Sequence, residues 1–312
     1  MKRIIAIGAT TYDIIFKNNK PVEARIGGSQ LNTAVSLSRL GLPVTFISRI
    51  GNDRIGDISL EELKDNKVET TFISRFNDHS RVAFAFLDEF NNAEYSFFKP
   101  SVKMPKIRFP GINPGDIILF GSSYALIDDV HAQLIPFLLE ARKKNAVILY
   151  DPNIRKSHMD RYHQVKPILM ENFKQATIIK GSDEDFTRLF GSNNSLEAYE
   201  ELKKINPSFD FVYTANKNNL HVHTSNFSGE YPVPKINPLS TIGAGDNINA
   251  GIIYSIFSNK GILKSKKDWD FLVNTSILFA QHVCLQYDNY LDKDWCLNFI
   301  KNRGVKKINK TN

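Results

Sequence analysis

The sequence contains little cysteine, no long apolar run and no dense basic patch ahead of its tail. Only two cysteines occur among 312 residues, Cys284 and Cys296, and they form no CxxC pair. A disulfide framework is thereby excluded, and a reducing compartment is expected. No stretch approaches the ~20 apolar residues that cross a bilayer, and the apolar run after Met1 is too short for a signal peptide. We therefore expect a soluble, cytoplasmic protein that does not bind membranes.

The net charge is positive but small, because acidic residues offset most of the basic ones. The chain has 40 lysines and arginines against 33 aspartates and glutamates, which leaves +7. A nucleic-acid surface needs clustered basic residues, and here the cations concentrate in an acid-free tail, 301–312, that we expect to be solvated and frayed. That tail holds Lys301, Arg303, Lys306, Lys307 and Lys310. We expect no nucleic-acid partner, and the charge leaves open whether the ligand is an anion.

Short apolar runs alternate with segments of helical period. The runs are 3–8, 44–48, 116–120, 146–150, 177–180 and 210–214. The helical periods are 29–40, 55–66, 127–145, 162–173 and 195–205, and three more follow at 246–258, 267–287 and 293–302. Several runs are continuously apolar, as in strands buried on both faces. The pattern predicts an α/β fold with a parallel sheet covered by helices.

Two segments interrupt this alternation and are typical of antiparallel hairpins. Residues 11–26 form two arms around the polar turn 17–20, and residues 81–99 form two arms around the turn 89–92. Asparagine in both turns accepts the left-handed conformations that tight hairpins need. We expect these hairpins to form a small sheet that stands off the main one, within a single domain 1–312.

The most informative stretch is Ser240-Thr241-Ile242-Gly243-Ala244-Gly245-Asp246, which opens a helical period. Glycines before a helix let the backbone approach a ligand, and the N–H groups at a helix start bind anions. Asp246 has two interpretations at this position. It is either a first-turn acid that favours the helix dipole, or a base that removes the proton of a hydroxyl attacking a phosphate.

A second glycine pair, Gly27-Gly28, ends a hairpin arm and begins a helix that stops at Gly41. Two glycines at the base of a hairpin can act as a hinge for a closing lid. Asn32 falls in the first turn of that helix, where it either bonds the local backbone or contacts a ligand. The residues alone do not decide between these roles.

Four short motifs follow one another along nearly the whole chain. They are Gly27-Gly28-x-x-x-Asn32-x-Ala34, Gly51-x-Asp53-x-x-Gly56, Asp151-Pro152-Asn153-x-Arg155 and Gly243-Ala244-Gly245-Asp246. In this order they resemble the motifs of the PfkB/ribokinase family of sugar kinases. The resemblance implies a ribokinase-like three-layer α/β/α fold with a mainly parallel central sheet and a small β-lid. It also implies transfer of phosphate from ATP to a sugar hydroxyl, with Mg²⁺ as cofactor.

The resemblance assigns roles to individual residues. Asp246 is the implied catalytic base, and the amides of Gly243, Ala244 and Gly245 hold the transferring phosphate. The implied sugar contacts are Asp13, Gly27, Gly28, Asn32, Phe97 and Asn153. The implied nucleotide contacts are Lys180, Ser182, Thr214, Asn216 and Asn274. Arg155 either approaches a phosphate or forms a surface salt bridge.

Three positions depart from the family pattern. Ser240 stands where the family usually has an aspartate near a monovalent-cation site, which argues against activation by potassium. The family's Asn-x-x-Glu motif, tied to magnesium and phosphate, aligns with 182–185, so Asp185 or Glu184 is the expected metal carboxylate. Asn216 replaces a glycine of the nucleotide loop, and asparagine tolerates positive φ better than most residues.

The motif variant and the chain length look most like fructokinase-type members, so fructose is the first expected acceptor. Ribose, 2-keto-3-deoxygluconate and nucleosides are alternatives within the same fold. A sugar-binding regulator that kept the fold and lost the chemistry is an alternative of another class. The family's lids often form dimer interfaces, so the expected partners are the sugar, ATP and a second copy of the chain bound through the lid.

Overall fold

The computed structural model describes residues 2–89, 93–215, 218–259 and 263–308. The predicted nucleotide-loop residue Asn216 lies outside the described residues. The centre of the predicted turn 89–92 and the last four residues of the basic tail also lie outside them.

The strands and helices can be given in chain order. The strands are β1 (Ile4–Ile7), β2 (Thr11–Lys17), β3 (Lys20–Gly27), β4 (Val44–Gly51), β5 (Ile73–Phe76), β6 (Val82–Leu87), β7 (Ala93–Phe98), β8 (Ile117–Gly121), β9 (Val147–Asp151), β10 (Ile178–Ser182), β11 (Asp210–Ala215), β12 (Asn219–His223) and β13 (Ser228–Pro232). The helices are α1 (Ser29–Arg39), α2 (Arg54–Asp65), α3 (Asp128–Lys143), α4 (Lys156–Met159), α5 (Tyr162–Gln175), α6 (Asp183–Phe190), α7 (Ser195–Ile205), α8 (Ala244–Ser258), α9 (Lys266–Cys284) and α10 (Lys293–Ile308). A short 3₁₀ helix, Ser122–Leu126, follows β8.

The large sheet contains nine strands of the described chain, in the order β13-β12-β11-β10-β9-β8-β1-β4-β5. Its strands from β11 to β5 pair in parallel, and β12 and β13 add an antiparallel edge. Strands β1, β4 and β8 are buried along their whole length, as their continuous apolar runs predicted. Because the strands from β11 to β5 are parallel, their carboxyl ends meet at one edge of the sheet.

Helices cover both faces of the large sheet. Strand β1 shows the alternation, because Ile4 and Ala6 belong to one core cluster while Ile5 and Ile7 belong to the other. The first cluster includes apolar residues of α1, α8 and α9, and the second includes those of α3, α5 and α7. This three-layer α/β/α arrangement confirms the predicted fold class. Within the described ranges, no helix is both long enough and apolar enough to cross a membrane.

Strands β3, β2, β6 and β7 form, in that order, a separate four-stranded sheet, here called the small sheet. Both predicted hairpins are present, and their inner strands β2 and β6 pair in parallel. Asn18 and Asn19 turn the first hairpin with positive φ, as the asparagine turn predicted. The hairpins are therefore joined into one sheet rather than standing separately.

One face of the small sheet is buried against the rest of the protein. Ile15, Ala83 and Ala85 lie on this face with at most 6% exposure. Alternation along the strands and the pairing register place Asp13 and Phe97 on the same face. This inner face therefore carries two of the residues predicted to contact the sugar.

The other face of the small sheet carries a cluster of aromatic rings. The Phe16 centroid is 5.4 Å from that of Phe84 and 4.9 Å from that of Phe86, and Phe84 is 4.8 Å from Phe98. Aromatic side chains of a hairpin commonly pack on its buried face, but the pairing register places these rings on the opposite face. Phe86 and Phe98 remain 37% and 50% exposed, because alternation directs them away from the large sheet.

Asp53 connects the small sheet to the large one. Its carboxylate caps α2 by accepting the Gly56 N–H at 2.8 Å, and it accepts the Ser80 N–H and hydroxyl at 2.8 and 2.6 Å. Ser80 lies two residues before β6. Gly56 has no room for a side chain, since a Cβ would overlap the Gly51 carbonyl. The Gly51-x-Asp53-x-x-Gly56 motif therefore acts as an anchor for the second hairpin.

Most predicted segments are present, with their ends shifted by up to three residues, except that the last helix ends six residues later than predicted. The sequence interpretation missed the strands β5, β12 and β13 and the helices α4 and α6. A signal for α6 was available, because Ser182 and Asp185 form a capping box of the kind that marks a helix start. The last helix extends to Ile308, so 303–308 are helical instead of frayed.

Gly251 allows α8 and α9 to pack in direct contact, and this generates a stability prediction. A Cβ at Gly251 would overlap the main chain of Ser276 on α9. We predict that Gly251→Ala lowers the free energy of unfolding by about 2 kcal/mol, because overpacking outweighs the ~1 kcal/mol that alanine gains over glycine in a helix. Urea unfolding measures the change. Gly111→Ala is the matched control, since its Cβ would meet no atom within 4 Å; equal stability of both variants would contradict the close packing.

Candidate active site

The predicted functional residues gather where the parallel strands end. Strand β9 ends at Asp151 and β10 ends at Ser182. Helix α8 begins at the same edge, because its Asn249 bonds Asp151 and its Gly245 lies against Lys180. Open α/β sheets bind ligands at this edge.

The turn before α8 has a conformation that requires glycine. Gly243 has a φ of 82°, and a Cβ there would overlap the Asn289 carbonyl. The side-chain amide of Asn247 donates to the Gly243 and Asn289 carbonyls at 2.8 and 2.9 Å, which holds the turn from inside. The Ala244 N–H already donates to the preceding turn at 3.3 Å. The Gly245 N–H is therefore better placed than the Ala244 N–H to bind phosphate, since first-turn amides have no intrahelical acceptor.

Asp246 joins the start of α8 to the start of α1. Its two carboxylate oxygens accept hydrogen bonds from the Ser29 hydroxyl at 2.6 Å and from the Asn32 side-chain amide at 2.8 Å. The Thr33 hydroxyl donates to the Asp246 main-chain carbonyl at 2.8 Å. Asn32 is thus a tertiary contact rather than a local backbone binder, and the Asp246 carboxylate is held in one orientation.

Burial controls the protonation of the two carboxylates in this region. Burial raises the pKa of Asp246, and the hydrogen bonds from Ser29 and Asn32 act in the opposite direction. Burial also raises the pKa of Asp13, and the negative charge of Asp246 adds to that increase. Carboxylates with raised pKa values that lie close together are a common feature of sites that bind hydroxyls or accept protons.

A buried ion pair lies behind the glycine turn. The Lys180 ammonium donates to Asp151 Oδ2 at 3.0 Å, and the Asn249 side-chain amide donates to the same oxygen at 2.7 Å. The Lys180 ammonium would stand 3.2 Å from a Cβ on Gly245. The charges of Asp151 and Asp185 raise the pKa of Lys180 against the effect of burial. A permanent positive charge therefore adjoins the helix start that was predicted to hold phosphate.

Gly27 and Gly28 let α1 start directly against β2 and the loop after β1. A Cβ at Gly27 would overlap the Asp13 carboxylate, and a Cβ at Gly28, whose φ is 136°, would overlap the Ala9 carbonyl. Asp13 is thereby held beside the first turn of α1. The Asn32 Oδ1 atom is buried without a donor among the described residues, so it can accept a hydrogen bond from a ligand hydroxyl.

Asn153, Arg155 and Phe97 border the same region. Asn153 follows β9, is half-buried and has a φ of 44°. The Arg155 guanidinium lies 5.3 Å from the centroid of the Phe97 ring on the inner face of the small sheet. The Arg155 charge also opposes the increase in the Asp13 pKa. Arg155 is therefore placed where the small sheet, Asp13 and the end of β9 meet.

The residues predicted to bind the nucleotide are only partly grouped. Ser182 and Thr214 are paired neighbours at the ends of β10 and β11, and Lys180 precedes Ser182 on the same strand. Asn274 is exposed in the middle of α9, a different element. The predicted contact at Asn216 lies outside the described residues.

The two carboxylates predicted to hold a metal already have partners. Asp185 is buried and accepts the Ile154 N–H at 2.5 Å and the Ser182 N–H and hydroxyl at 2.7 and 2.8 Å. Glu184 pairs with Arg188 on the surface at 2.7 Å. The described part of the chain contains no group of three or more metal-ligating side chains. The two carboxylates by themselves would hold a metal ion weakly, so the site fits a cation that is bound mainly by phosphate oxygens and water.

Several contacts of the site were not predicted from the sequence. The bonds of Ser29 and Thr33 to Asp246 are among them, as are the partners of Asp151. One signal was present, because Ser29, Asn32 and Thr33 place three polar side chains on one face of a mostly buried helix. Their partner, more than 200 residues away, could not be read from that pattern.

Comparisons with known proteins identify the family of the chain. The chain matches the model of the pfkB family of carbohydrate kinases over residues 1–267. It is 27% identical to the probable fructokinase-7 of Arabidopsis thaliana over 263 residues, which cover 81% of this chain and 75% of that protein.

Two solved structures share the fold. The fructokinase of Vibrio cholerae with fructose, ADP and calcium ion bound gives a TM-score of 0.83 at 19% identity, over 96% of this chain and 99% of that one. The aminoimidazole riboside kinase of Salmonella enterica, complexed with aminoimidazole riboside and an ATP analogue, gives 0.83 at 16% identity, over 96% and 100%. These structures confirm the ribokinase-like fold class. The family match includes both glycine motifs and Asp246, so this chain belongs to the pfkB family of carbohydrate kinases, phosphotransferases that act on sugars.

Proposed function

We propose that the protein transfers the γ-phosphate of ATP to a hydroxyl of a sugar bound between the small sheet and the carboxyl edge of the large sheet. The observation that carries the proposal is the position of Asp246. Its buried carboxylate follows Gly245 at the start of α8 and is oriented by Ser29 and Asn32. A base and an anion-binding helix start are thus adjacent, as phosphate transfer to a hydroxyl requires.

In the proposed step, Asp246 takes the proton of the sugar hydroxyl while that oxygen attacks the γ-phosphorus. A bond forms between the sugar oxygen and phosphorus, and the bond from phosphorus to the bridging oxygen breaks. ADP leaves with that electron pair, and the proton stays on the Asp246 carboxyl group. General-base catalysis of this kind contributes about 10²–10⁴ in rate.

Donors behind the glycine turn are proposed to hold the transferring phosphate. The Gly245 N–H lies at the positive end of α8, and the Lys180 ammonium lies against the same residue. Both are fixed before any ligand binds, so they need no reorganisation as charge develops. Ser182 and Thr214, together with the predicted contacts Asn216 and Asn274, are proposed to bind the nucleotide.

We propose Mg²⁺ as the cofactor, bound chiefly to the phosphates of ATP and to water. It would neutralise charge on the phosphate oxygens. The residues that would hold it are Glu184, whose carboxylate is exposed, and Asp185, whose oxygens cap α6. The Ser240 hydroxyl accepts the Ile242 N–H at 3.2 Å and offers no carboxylate, so we propose that no monovalent cation is required.

The small sheet is proposed as a lid over the sugar, within one domain. Asp13 and Phe97 on its inner face and Asn32 and Asn153 on the large-sheet side would contact the sugar. The exposed aromatic cluster on its outer face supports the proposal that two copies dimerise through their lids. Closure over the sugar would exclude water that otherwise hydrolyses ATP.

Fructose is the first neutral acceptor to test, because relatives such as the Arabidopsis protein at 27% identity are named fructokinases. The alternative acceptors are ribose, nucleosides and the sugar acid 2-keto-3-deoxygluconate. The regulator alternative is supported by the altered motif at 182–185. Thermal stabilisation by a sugar, without ADP release, would favour that regulator over the kinase.

Replacement of Asp246 tests the base. We predict that Asp246→Asn keeps the fold and lowers kcat by at least about 10²-fold, since an amide cannot accept the hydroxyl proton. A coupled assay of ADP release measures kcat, and urea unfolding checks the fold. Asp268→Asn is the matched control, because Asp268 is also a first-turn aspartate, on α9. If both variants retain near-normal rates, Asp246 is only a dipole-favouring acid.

The pH profile tests the same assignment independently. Because burial raises the pKa of Asp246 and only its ionised form accepts a proton, kcat/KM should fall towards acid pH with a midpoint above the ordinary value of about 4. Ser29→Ala removes a hydrogen bond that lowers this pKa, so the midpoint should move to higher pH. Thr33→Val is the control, because the Thr33 hydroxyl bonds the main-chain carbonyls of Ser29 and Asp246 and not the Asp246 carboxylate. Identical midpoints in Ser29→Ala and the unmodified protein would contradict the assignment.

A further inference from the structure

Five cationic side chains converge where the small sheet meets the carboxyl edge of the large sheet. They are here called the basic cluster and are Arg49, Arg81, Lys99, Arg155 and Arg161. Arg49 lies near the end of β4, Arg81 and Lys99 flank the β6–β7 hairpin, and Arg155 and Arg161 directly precede α4 and α5. They come from three distant parts of the chain, at 49, at 81–99 and at 155–161, so the fold brings these parts together.

The members of the basic cluster act on one another electrostatically. Burial lowers the pKa of Lys99, and the charges of Arg81 and Arg161 lower it further. His158 lies among them, with its Nε2 atom 2.9 Å from the Ser123 hydroxyl. Burial lowers the pKa of His158 to about 4, and cluster charges contribute to this shift. His158 is therefore neutral at pH 7, and the charge of the site comes from the lysine and the arginines.

Protein carboxylates do not balance this charge. Arg49 pairs with Asp129 at 2.6 Å, yet its Nε and Nη2 atoms are buried without an acceptor in the described part of the chain. Among the residues that the structure describes, no carboxylate lies within ion-pair distance of Arg81, Lys99 or Arg161. The buried Arg49 atoms and the half-buried Arg81 side chain cost free energy when they have no acceptor, and a bound anion offsets that cost.

Tyr124 adds an unused donor at the same place. The residue is 3% exposed, and its hydroxyl has no partner among the described residues. Burial raises the pKa of Tyr124 to about 12, although the nearby Arg49 and Arg81 act in the opposite direction. The hydroxyl is therefore protonated at pH 7 and can donate a hydrogen bond to an anion.

The basic cluster is continuous with the predicted sugar site. Arg155 contacts the Phe97 ring on the inner face of the small sheet, and its charge acts on Asp13. The negative charge of Asp246 in turn raises the pKa of Asp13 beyond the effect of burial. A line of electrostatic neighbours thus runs from the proposed base, through the sugar contact Asp13, to the cations.

We infer that the acceptor sugar carries an anionic group, a phosphate or a carboxylate, which the basic cluster and Tyr124 bind while Asp246 faces the reacting hydroxyl. The inference rests on the proposed kinase function and narrows its substrate class to sugar phosphates and sugar acids. Arginine suits both anions, because its planar fork donates to two oxygens at once. A neutral sugar leaves Arg81, Lys99 and Arg161 without an ion-pair partner among the described residues, so it is a poorer substrate.

ADP release with matched sugars tests this inference. The neutral sugars are fructose and ribose, the phosphorylated sugars are fructose 1-phosphate and fructose 6-phosphate, and the sugar acid is 2-keto-3-deoxygluconate. We expect kcat/KM for one anionic sugar to exceed that for fructose by at least about 10²-fold, with a KM that rises with ionic strength. If a fructose phosphate has the highest kcat/KM, the bound anion is a phosphate. If 2-keto-3-deoxygluconate has the highest kcat/KM, it is a carboxylate.

Substitution of the exposed members of the basic cluster tests whether the cluster binds the anionic group of the sugar. Lys99→Gln and Arg161→Gln should each raise the KM for the anionic sugar about 10-fold, as expected for one charged hydrogen bond, with little change in kcat. Lys174→Gln is the control, because Lys174 is an exposed lysine near the other end of α5. If fructose is the best acceptor and these variants leave its KM unchanged, the inference is wrong and the kinase proposal stands.

The failure of the proposed function has a different signature. If no sugar releases ADP, yet an anionic sugar raises the Tm and Lys99→Gln abolishes that shift, the anion site stands and the kinase proposal fails. If no sugar releases ADP and none changes the Tm, both are overturned.

Discussion

The bond between the Asp246 carboxylate and the first turn of α1 is the contact on which the rest of the site depends. It links residues 217 positions apart, Ser29 and Asp246, at 2.6 Å. Helix α1 begins where the small sheet ends, and α8 begins at the glycine turn. Because a buried carboxylate needs its donors, this contact fixes the relative positions of the small sheet, the predicted sugar contacts and the glycine turn that is proposed to bind phosphate.

Charge is distributed around that contact in a way that the net value of +7 conceals. Burial raises the pKa values of Asp246 and Asp13, while Lys180 stays charged beside Gly245 because Asp151 pairs with it. The basic cluster lies beyond Asp13. Part of the excess positive charge is thus at the site, although five of the cations occur in the tail. The local arrangement, and not the sum, indicates which ligand groups the protein can bind.

Features with a strong local cause could be predicted from the sequence. Continuous apolar runs predicted the parallel strands, asparagine turns predicted both hairpins, and the motif ending at Asp246 predicted the helix start that bears it. Other features have weak local signals. Asp185 was predicted as a metal carboxylate from its motif, whereas its acceptance of the Ile154 N–H and its capping of α6 are visible only in the structure. The hairpin aromatics look like core residues, but strand alternation directs Phe84 and Phe86 to the outer face of the small sheet.

The sequence by itself determined the fold class, the family resemblance and the residue proposed as the base, since these depend on periodicity and on short motifs. Only the tertiary structure decided what those residues contact. The hydrogen bonds of Asp246 and of Asp151 and the convergence of the basic cluster join distant segments. The same packing leaves the Asn32 Oδ1 atom without a donor among the described residues. Such contacts arise when strands and helices pack into one three-layer arrangement, and no local preference of the chain encodes them.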